Sequence, residues 1–214
     1  MPSMIDFESE FPFLWRLSPE SSEGFCAVSM VVAYEENDQR QDLTIETSVQ
    51  SLASDTSRAE TEETLEWNDD DISLFLKMVN YRRQRSNLPI SDNVRIDLAD
   101  PAIIEIINVV AAAGFGTAYA SNGLLIDPIS KYSSFHCHVG GRAALNTVGG
   151  YKACVVVDVD DDDAVCVLLE DIEIDDEENI EQIRRHDLLL VKRNDIVHPG
   201  FTSLDQPTQK FPSH

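Results

Sequence analysis

The segment from Asp100 to Gly114 constrains the fold more than any other, because it predicts a helix that is apolar nearly all round. It reads DPAIIEIINVVAAAG. Asp100 suits the N-cap, Pro101 fits the first turn, and Gly114 suits the C-terminal end. A helix without a polar face is buried on several sides. We therefore expect other elements of the chain to cover it.

A second helix is predicted within residues 68–87. Three aspartates at 69–71 begin it, and the arginines of YRRQRSN end it, so that both ends suit the helix dipole. Its apolar face is expected to consist of Ile72, Phe75, Leu76 and Val79.

Strands are predicted on both sides of these helices. Residues 24–37 are apolar and β-branched, and residues 42–53 alternate apolar with polar side chains, which together predict an antiparallel hairpin. Beyond residue 117 the chain is rich in strand-forming segments, and Asn122-Gly123 is a hairpin-turn signal. The expected fold is α+β, with a β-rich, mostly antiparallel sheet or sandwich, two helices and extended terminal arms. The expected organisation is an N-terminal arm (1–22), a single α+β domain (23–198) and a C-terminal tail (199–214).

The N-terminal arm carries aromatic side chains in alternation. Pro12 and Pro19 disfavour a helix there, and alternation suits an extended segment laid on a surface. Two interpretations stay open: the aromatic side chains cover the core of their own chain, or they dock on a neighbouring subunit. The second interpretation predicts partner contacts by Phe11, Phe13, Leu14 and Trp15.

The charge of the chain excludes several partners. Its 39 acidic and 16 basic residues give a formal net charge of −23, which repels nucleic acid phosphates and anionic membrane surfaces. We therefore expect no direct contact with nucleic acid or membrane. The N-terminus lacks the basic and apolar regions of a signal peptide, so we expect a virion or cytoplasmic location rather than secretion by that route. The four cysteines form no CxxC pair and are expected to be reduced.

The triplet His136-Cys137-His138 is the most suggestive chemical motif. In a strand both imidazoles would share one face and the thiol the other. A metal requires at least one further ligand, and the residues that follow, VGGRAAL, offer none. We predict no metal and no cofactor. A metal-dependent enzyme centred on this histidine pair is kept as an alternative.

The acidic run at residues 158–181 resembles the opening of a calcium loop only superficially. Such a loop requires glycine at its sixth position and glutamate at its twelfth; Asp163 and Leu169 stand there. The run instead predicts a β-hairpin with an acidic tip. A second alternative function follows from it: an acidic decoy that binds a basic protein surface, as a DNA mimic would.

Other catalytic motifs are missing from the sequence. The glycines of GFGTAYASNG follow a helix instead of opening one, which is the wrong order for a phosphate loop, and no GxSxG elbow exists. The leading hypothesis is a non-enzymatic structural or assembly subunit of a larger complex, such as a virus or phage particle. Its partners would be other protein subunits in an oligomer, contacted by the arm and by the tail from Pro199.

Overall fold

The chain is divided into two units, here called the N-terminal unit (Met1–Thr117) and the C-terminal unit (Ala118–His214). The structure is a computed structural model. The residues it describes are 4–7, 13–36, 39–52, 61–90, 94–121, 123–126, 136–173 and 183–202.

The N-terminal unit contains both helices and a four-stranded antiparallel sheet. The sheet has the order β4-β3-β2-β5, and β1 pairs with β6 in a separate two-stranded antiparallel sheet. The elements are β1 (Met4–Phe7), β2 (Phe13–Leu17), β3 (Phe25–Glu36), β4 (Gln39–Leu52), β5 (Glu63–Glu66), α1 (Asp69–Arg85), β6 (Val94–Asp97) and α2 (Pro101–Phe115).

Helix α2 is the apolar helix that the sequence predicts. Asp100 caps it by accepting the Ala102 N–H at 2.9 Å, and Pro101 occupies its first turn. Eight of its residues are buried, which confirms that other elements cover it. The helix ends at Phe115 with Gly116 as its C-cap, slightly beyond the expected stop at Gly114.

Helix α1 begins at a capping box. The Asn68 side chain accepts the backbone N–H groups of Asp70 and Asp71 at 2.9 Å, which satisfies donors that the helix leaves unpaired. The buried face differs slightly from the predicted one. Phe75 and Val79 are buried as expected, whereas Ile72 and Leu76 are half-buried. The other buried residues of α1 are Asp71, Leu74 and Met78.

A bulge in β4 is held by a side chain from α2. The pairing of β3 with β4 shifts between Ala27 and Ser29, so that β4 carries extra residues at this point. The buried Asn108 accepts the backbone N–H of Ser48 at 2.8 Å and the Ser48 hydroxyl at 3.1 Å. It also donates from Nδ2 to the Ile104 carbonyl. Asn108 therefore satisfies a backbone group that the strand ladder leaves unpaired.

The C-terminal unit is a six-stranded sheet of order β12-β8-β9-β10-β11-β7. Its pairs are antiparallel except for β7, which joins β11 in parallel. The elements are β7 (Ala118–Ala120), β8 (Arg142–Thr147), β9 (Gly150–Val159), β10 (Asp163–Leu168), β11 (Leu188–Lys192) and β12 (Ile196–Val197). One 3₁₀ turn, Arg193–Asp195, joins β11 to β12, and another, Pro199–Phe201, follows β12.

The α+β, β-rich and mostly antiparallel class with two helices is confirmed. The division into an arm, a single domain at 23–198 and a tail stays a prediction; the structure has two units, divided after residue 117, and the four-stranded and six-stranded sheets share no strand. Residues 13–17 of the expected arm form β2, inside the four-stranded sheet. The expected hairpin at Asn122-Gly123 is replaced by two separate pairings: β7 pairs with β11, and Leu125 pairs with Thr147. Asn122 itself lies outside the described residues.

The sequence predicts no contact with a membrane, and the two helices can be compared with what a membrane span requires. Among the described residues, neither helix combines the length and the apolarity needed to cross a bilayer.

Candidate partner-binding surface

Two of the four predicted partner-contact residues are buried in their own unit. Phe13 and Trp15 face Val32 and Met30 of β3, and their side chains are 5% and 1% exposed. This burial removes the physical basis for the expectation that they dock on a neighbour, since their apolar surface is already covered. Leu14 alternates with them on β2 and is half-buried, and Phe11 lies outside the described residues.

The buried aromatic side chains of the N-terminal unit form one cluster. Trp15 stacks on Trp67 with ring centroids 4.9 Å apart, and Phe13 lies 5.1 Å from Trp67. Phe75 of α1 contacts Trp67 edge-on, and Phe115 of α2 contacts Trp15 edge-on. The cluster thus joins β2 to both helices and to Trp67, which precedes the N-cap of α1.

The histidine triplet lies outside any strand, and a short turn separates it from β8. His136 and His138 are exposed, while Cys137 is half-buried and packs against the core of the C-terminal unit. The next residues form a tight turn in which the Gly141 N–H donates to the His138 carbonyl at 2.9 Å. Gly140 has a φ of +83°, a conformation that favours glycine at the third position of such a turn. The double glycine therefore has a structural cause.

Three of the four thiols meet in the core of the C-terminal unit. Cys154 and Cys166 are fully buried on neighbouring strands, and Cys137 packs against the same cluster. A shift of register between Val165 and Cys166 places Cys166 opposite Val156 and Cys154 opposite Leu168. The hydrogen bond with Cys166, together with burial, raises the pKa of the Cys154 thiol well above its ordinary value. Buried thiols of this kind are inert core residues.

In the described part of the chain, no group of three or more His, Cys, Asp or Glu side chains is placed to hold a metal ion.

The acidic hairpin forms as predicted, with its turn between β9 and β10. Its backbone carbonyls point at Arg193: the guanidinium Nη1 donates to Asp161 at 3.3 Å and to Asp160 at 3.5 Å, and the Arg193 N–H donates to Asp162 at 3.0 Å. The ammonium of Lys192 lies 2.8 Å from the Asp163 carboxylate. Two cations of the protein itself, Lys192 and Arg193, therefore contact the tip.

An exposed apolar surface lies at one end of the β8–β9 hairpin, and we call it the C-terminal patch. It consists of Ile126, Val148, Tyr151 and Phe201, of which Ile126 and Val148 are each 48% exposed and Phe201 is 40% exposed. The half-buried Tyr151 ring stacks on Phe201 with centroids 5.1 Å apart.

Backbone pairing brings the C-terminal patch together around Asn146. Tyr151 is opposite Asn146 in the β8–β9 pair, and Ile126 exchanges hydrogen bonds with it: its N–H donates to the Asn146 carbonyl and its own carbonyl accepts from Asn146 Nδ2. Val148 follows two residues later and donates to the Leu124 carbonyl. The four patch residues come from three separate segments of the sequence, at 126, at 148 and 151, and at 201, so no spacing pattern indicates them. The exposed Phe201 is the one part that the predicted role of the tail could have found.

Comparisons with known proteins add no identification. The chain matches no protein-family model, and a search of curated proteins finds no match.

Proposed function

We propose that the protein works by binding other protein chains, as a non-enzymatic subunit of a larger assembly, through the C-terminal patch. The observation that supports this is the stacked Tyr151–Phe201 pair, with the exposed Ile126 and Val148 at the same end of the β8–β9 hairpin. Isolated exposed apolar residues are ordinary, but contiguous ones mark contact sites. Aromatic side chains are also enriched in the buried centres of protein interfaces.

The C-terminal patch replaces the aromatic arm as the contact in this proposal. Phe13 and Trp15 have burial partners within the N-terminal unit, whereas Phe201 lies in the tail that the sequence hypothesis also assigned to neighbour contacts. An apolar contact tolerates salt, and salt screens the mutual repulsion of chains with a net charge of −23. Self-association through the C-terminal patch should therefore persist or strengthen as salt is raised.

The test is the mass of the protein in solution by light scattering, at low and at high salt. We expect an oligomer in high salt for the natural chain and a monomer for the double variant Ile126→Ser, Phe201→Ser. The matched control is Leu190→Ser, which changes another exposed apolar residue, 44% exposed, in the same unit. The control should assemble normally. A natural chain that is monomeric at both salt concentrations and at high protein concentration would refute self-assembly.

An acidic decoy is a second candidate, favoured by the outer face of the four-stranded sheet. Asp42 and Glu46 on β4 and Glu66 on β5 are exposed there, and the neighbouring base is Arg16, which lies 3.9 Å from Asp42 and 3.1 Å from Glu62. A basic partner would bind this face with an affinity that falls steeply with salt. Titration with polylysine at several salt concentrations tests this: the double variant Glu46→Gln, Glu66→Gln should bind more weakly than the natural chain. Equal binding by both would remove the candidate.

A further inference from the structure

Asp71 is a buried carboxyl that joins α1 to the sheet of the N-terminal unit. Only 6% of the surface of this residue is exposed to solvent. One oxygen, Oδ2, accepts two hydrogen bonds of 3.1 Å, from Trp15 Nε1 on β2 and from the backbone N–H of Asn68 at the start of α1. A single atom therefore connects the aromatic cluster to the capping box.

The other carboxyl oxygen has a different environment. A Cβ on Gly114, near the end of α2, would lie 3.4 Å from Oδ1, so this oxygen faces the helix terminus. Within the described residues Oδ1 has no hydrogen-bond donor. A proton on Oδ1 would leave both bonds to Oδ2 intact.

The charged side chains around Asp71 also favour a proton, whereas the dipole of α1 favours the ionised carboxylate. On α1 the neighbouring Asp70 carboxylate opposes a second negative charge. From β2 the contact is the neutral Trp15, and Gly114 on α2 brings no charge. On β5, Glu63 is opposite Leu17, two positions along β2 from Trp15 and on the same face of the sheet. None of the described groups facing Asp71 is a cation.

We propose that Asp71 is a proton-sensing joint between β2 and α1. In its protonated form the carboxyl carries the proton on Oδ1 and keeps both bonds through Oδ2, and the N-terminal unit is then at its most stable. At higher pH the carboxyl ionises in a site where none of the described groups is a cation, and the connection between β2 and α1 becomes less stable.

The direction of the effect follows from burial. Desolvation, the largest cause, raises the pKa of Asp71, and the hydrogen bonds from Asn68 and Trp15 oppose it only in part. The folded protein then keeps a proton that the unfolded chain, with an ordinary aspartate pKa of about 3.9, has already released. This stabilisation is complete below the pKa of the unfolded state and is lost as pH rises through the raised pKa of the folded state. Inside that window the unfolding constant changes by up to about tenfold per pH unit.

The decisive experiment compares denaturant unfolding of the full chain and of Asp71→Asn across mildly acidic to neutral pH. The chain contains two tryptophans, both in the aromatic cluster, so intrinsic fluorescence reports on this joint. Asparagine keeps an acceptor oxygen for Trp15 and Asn68 but cannot ionise. We expect the stability of Asp71→Asn relative to that of the natural chain to increase as pH rises. The control Asp69→Asn, exposed in the same helical turn, should follow the natural chain.

A second variant keeps the proposal testable if Asp71→Asn does not fold. Trp15→Phe removes an N–H that favours the ionised carboxyl, so the pH window should move upward, with Trp67 still reporting by fluorescence. Parallel pH profiles for the natural chain and Asp71→Asn would overturn the proposal. A folded Trp15→Phe variant with an unmoved window would overturn it equally.

Discussion

Arg82 and Asp100 form an ion pair in which the guanidinium Nη2 lies 2.7 Å from the carboxylate Oδ2. The pair connects the last turn of α1 to the N-cap of α2. Asp100 uses its other oxygen, Oδ1, to accept the N–H of Ala102. One carboxylate thus fixes both the start of α2 and the approach of α1.

Two substitutions of Asp100 distinguish its role as the cap of α2 from its role in the ion pair. Asp100→Ala removes both the cap and the ion pair, and loss of an N-cap alone destabilises a protein by about 1 kcal/mol. Asp100→Asn keeps a capping oxygen and removes only the charge, so it should cost clearly less, because partly exposed ion pairs contribute about 0–1 kcal/mol. Urea unfolding followed by tryptophan fluorescence measures both. Equal losses for the two variants would contradict the assigned cap.

The pH dependence of Asp100 should be opposite to that of Asp71. The hydrogen bond from Ala102, followed by that from Arg82, lowers the pKa of Asp100. Its stabilisation is therefore present above the ordinary aspartate pKa of about 3.9 and is lost as pH falls through the lowered pKa. Acid unfolding should begin at a higher pH in the Arg82→Gln variant than in the natural chain. Coincident acid transitions would contradict the pairing.

Replacing Asn108 should show how much its hydrogen bonds to the β4 bulge contribute to stability. Asn108→Leu removes the acceptor of the part-buried hydrogen bond from the Ser48 N–H, which we expect to destabilise the protein by about 1 kcal/mol. Ser48→Ala is the matched control, since it removes the hydroxyl bond of 3.1 Å to Asn108 and leaves the backbone bond of 2.8 Å. Chemical denaturation compares the two. A control as damaging as Asn108→Leu would argue against the bulge contact.

Gly141 should be intolerant of a side chain. A Cβ there would meet the backbone oxygen of His138 at 2.9 Å, whereas at Gly149 the nearest atom would be 3.5 Å away. We expect Gly141→Ala to destabilise the C-terminal unit by about 1–3 kcal/mol, as overpacking does. Gly149→Ala should be near neutral. Thermal unfolding monitored by circular dichroism measures the difference, and two equal melting curves would contradict the described turn.

One thiol of four should react in the native protein. Cys137 is half-buried, while Cys26, Cys154 and Cys166 are buried. A thiol reagent should therefore modify about one cysteine rapidly, and all four after denaturation. In Cys137→Ser the rapid phase should vanish. A rapid phase that persists in that variant would mean that the thiols in the core are accessible.

Local chemistry explains why part of this fold could be predicted. The Asp100 cap, the apolar run of α2 and the alternation in β4 all act over a few residues, and each indicates its element correctly. No sequence pattern indicates strand β5 (Glu63–Glu66), because its polar sequence resembles a connector. The shift of register at Cys166 could not be predicted, because a bulge displaces the register that the turn alone would set.

The sites depend on contacts between distant residues, which the sequence does not reveal. Trp15 and Asp71 are 56 positions apart, and nothing in either segment indicates the other. For this reason the alternation of Phe13 and Trp15 predicted an extended strand correctly but left its burial partner open. The C-terminal patch is assembled in the same way, by strand pairing around Asn146.

Hydroxyl-radical footprinting of the natural chain, read by mass spectrometry, tests the central claim of binding through the C-terminal patch. Dilute protein is compared with protein at a concentration and salt where light scattering shows assembly. We predict that oxidation of Tyr151 and Phe201 falls on assembly, while that of Tyr119 and Leu88, exposed outside the patch, is unchanged. Undiminished oxidation of Tyr151 and Phe201 in the assembled protein would contradict the account.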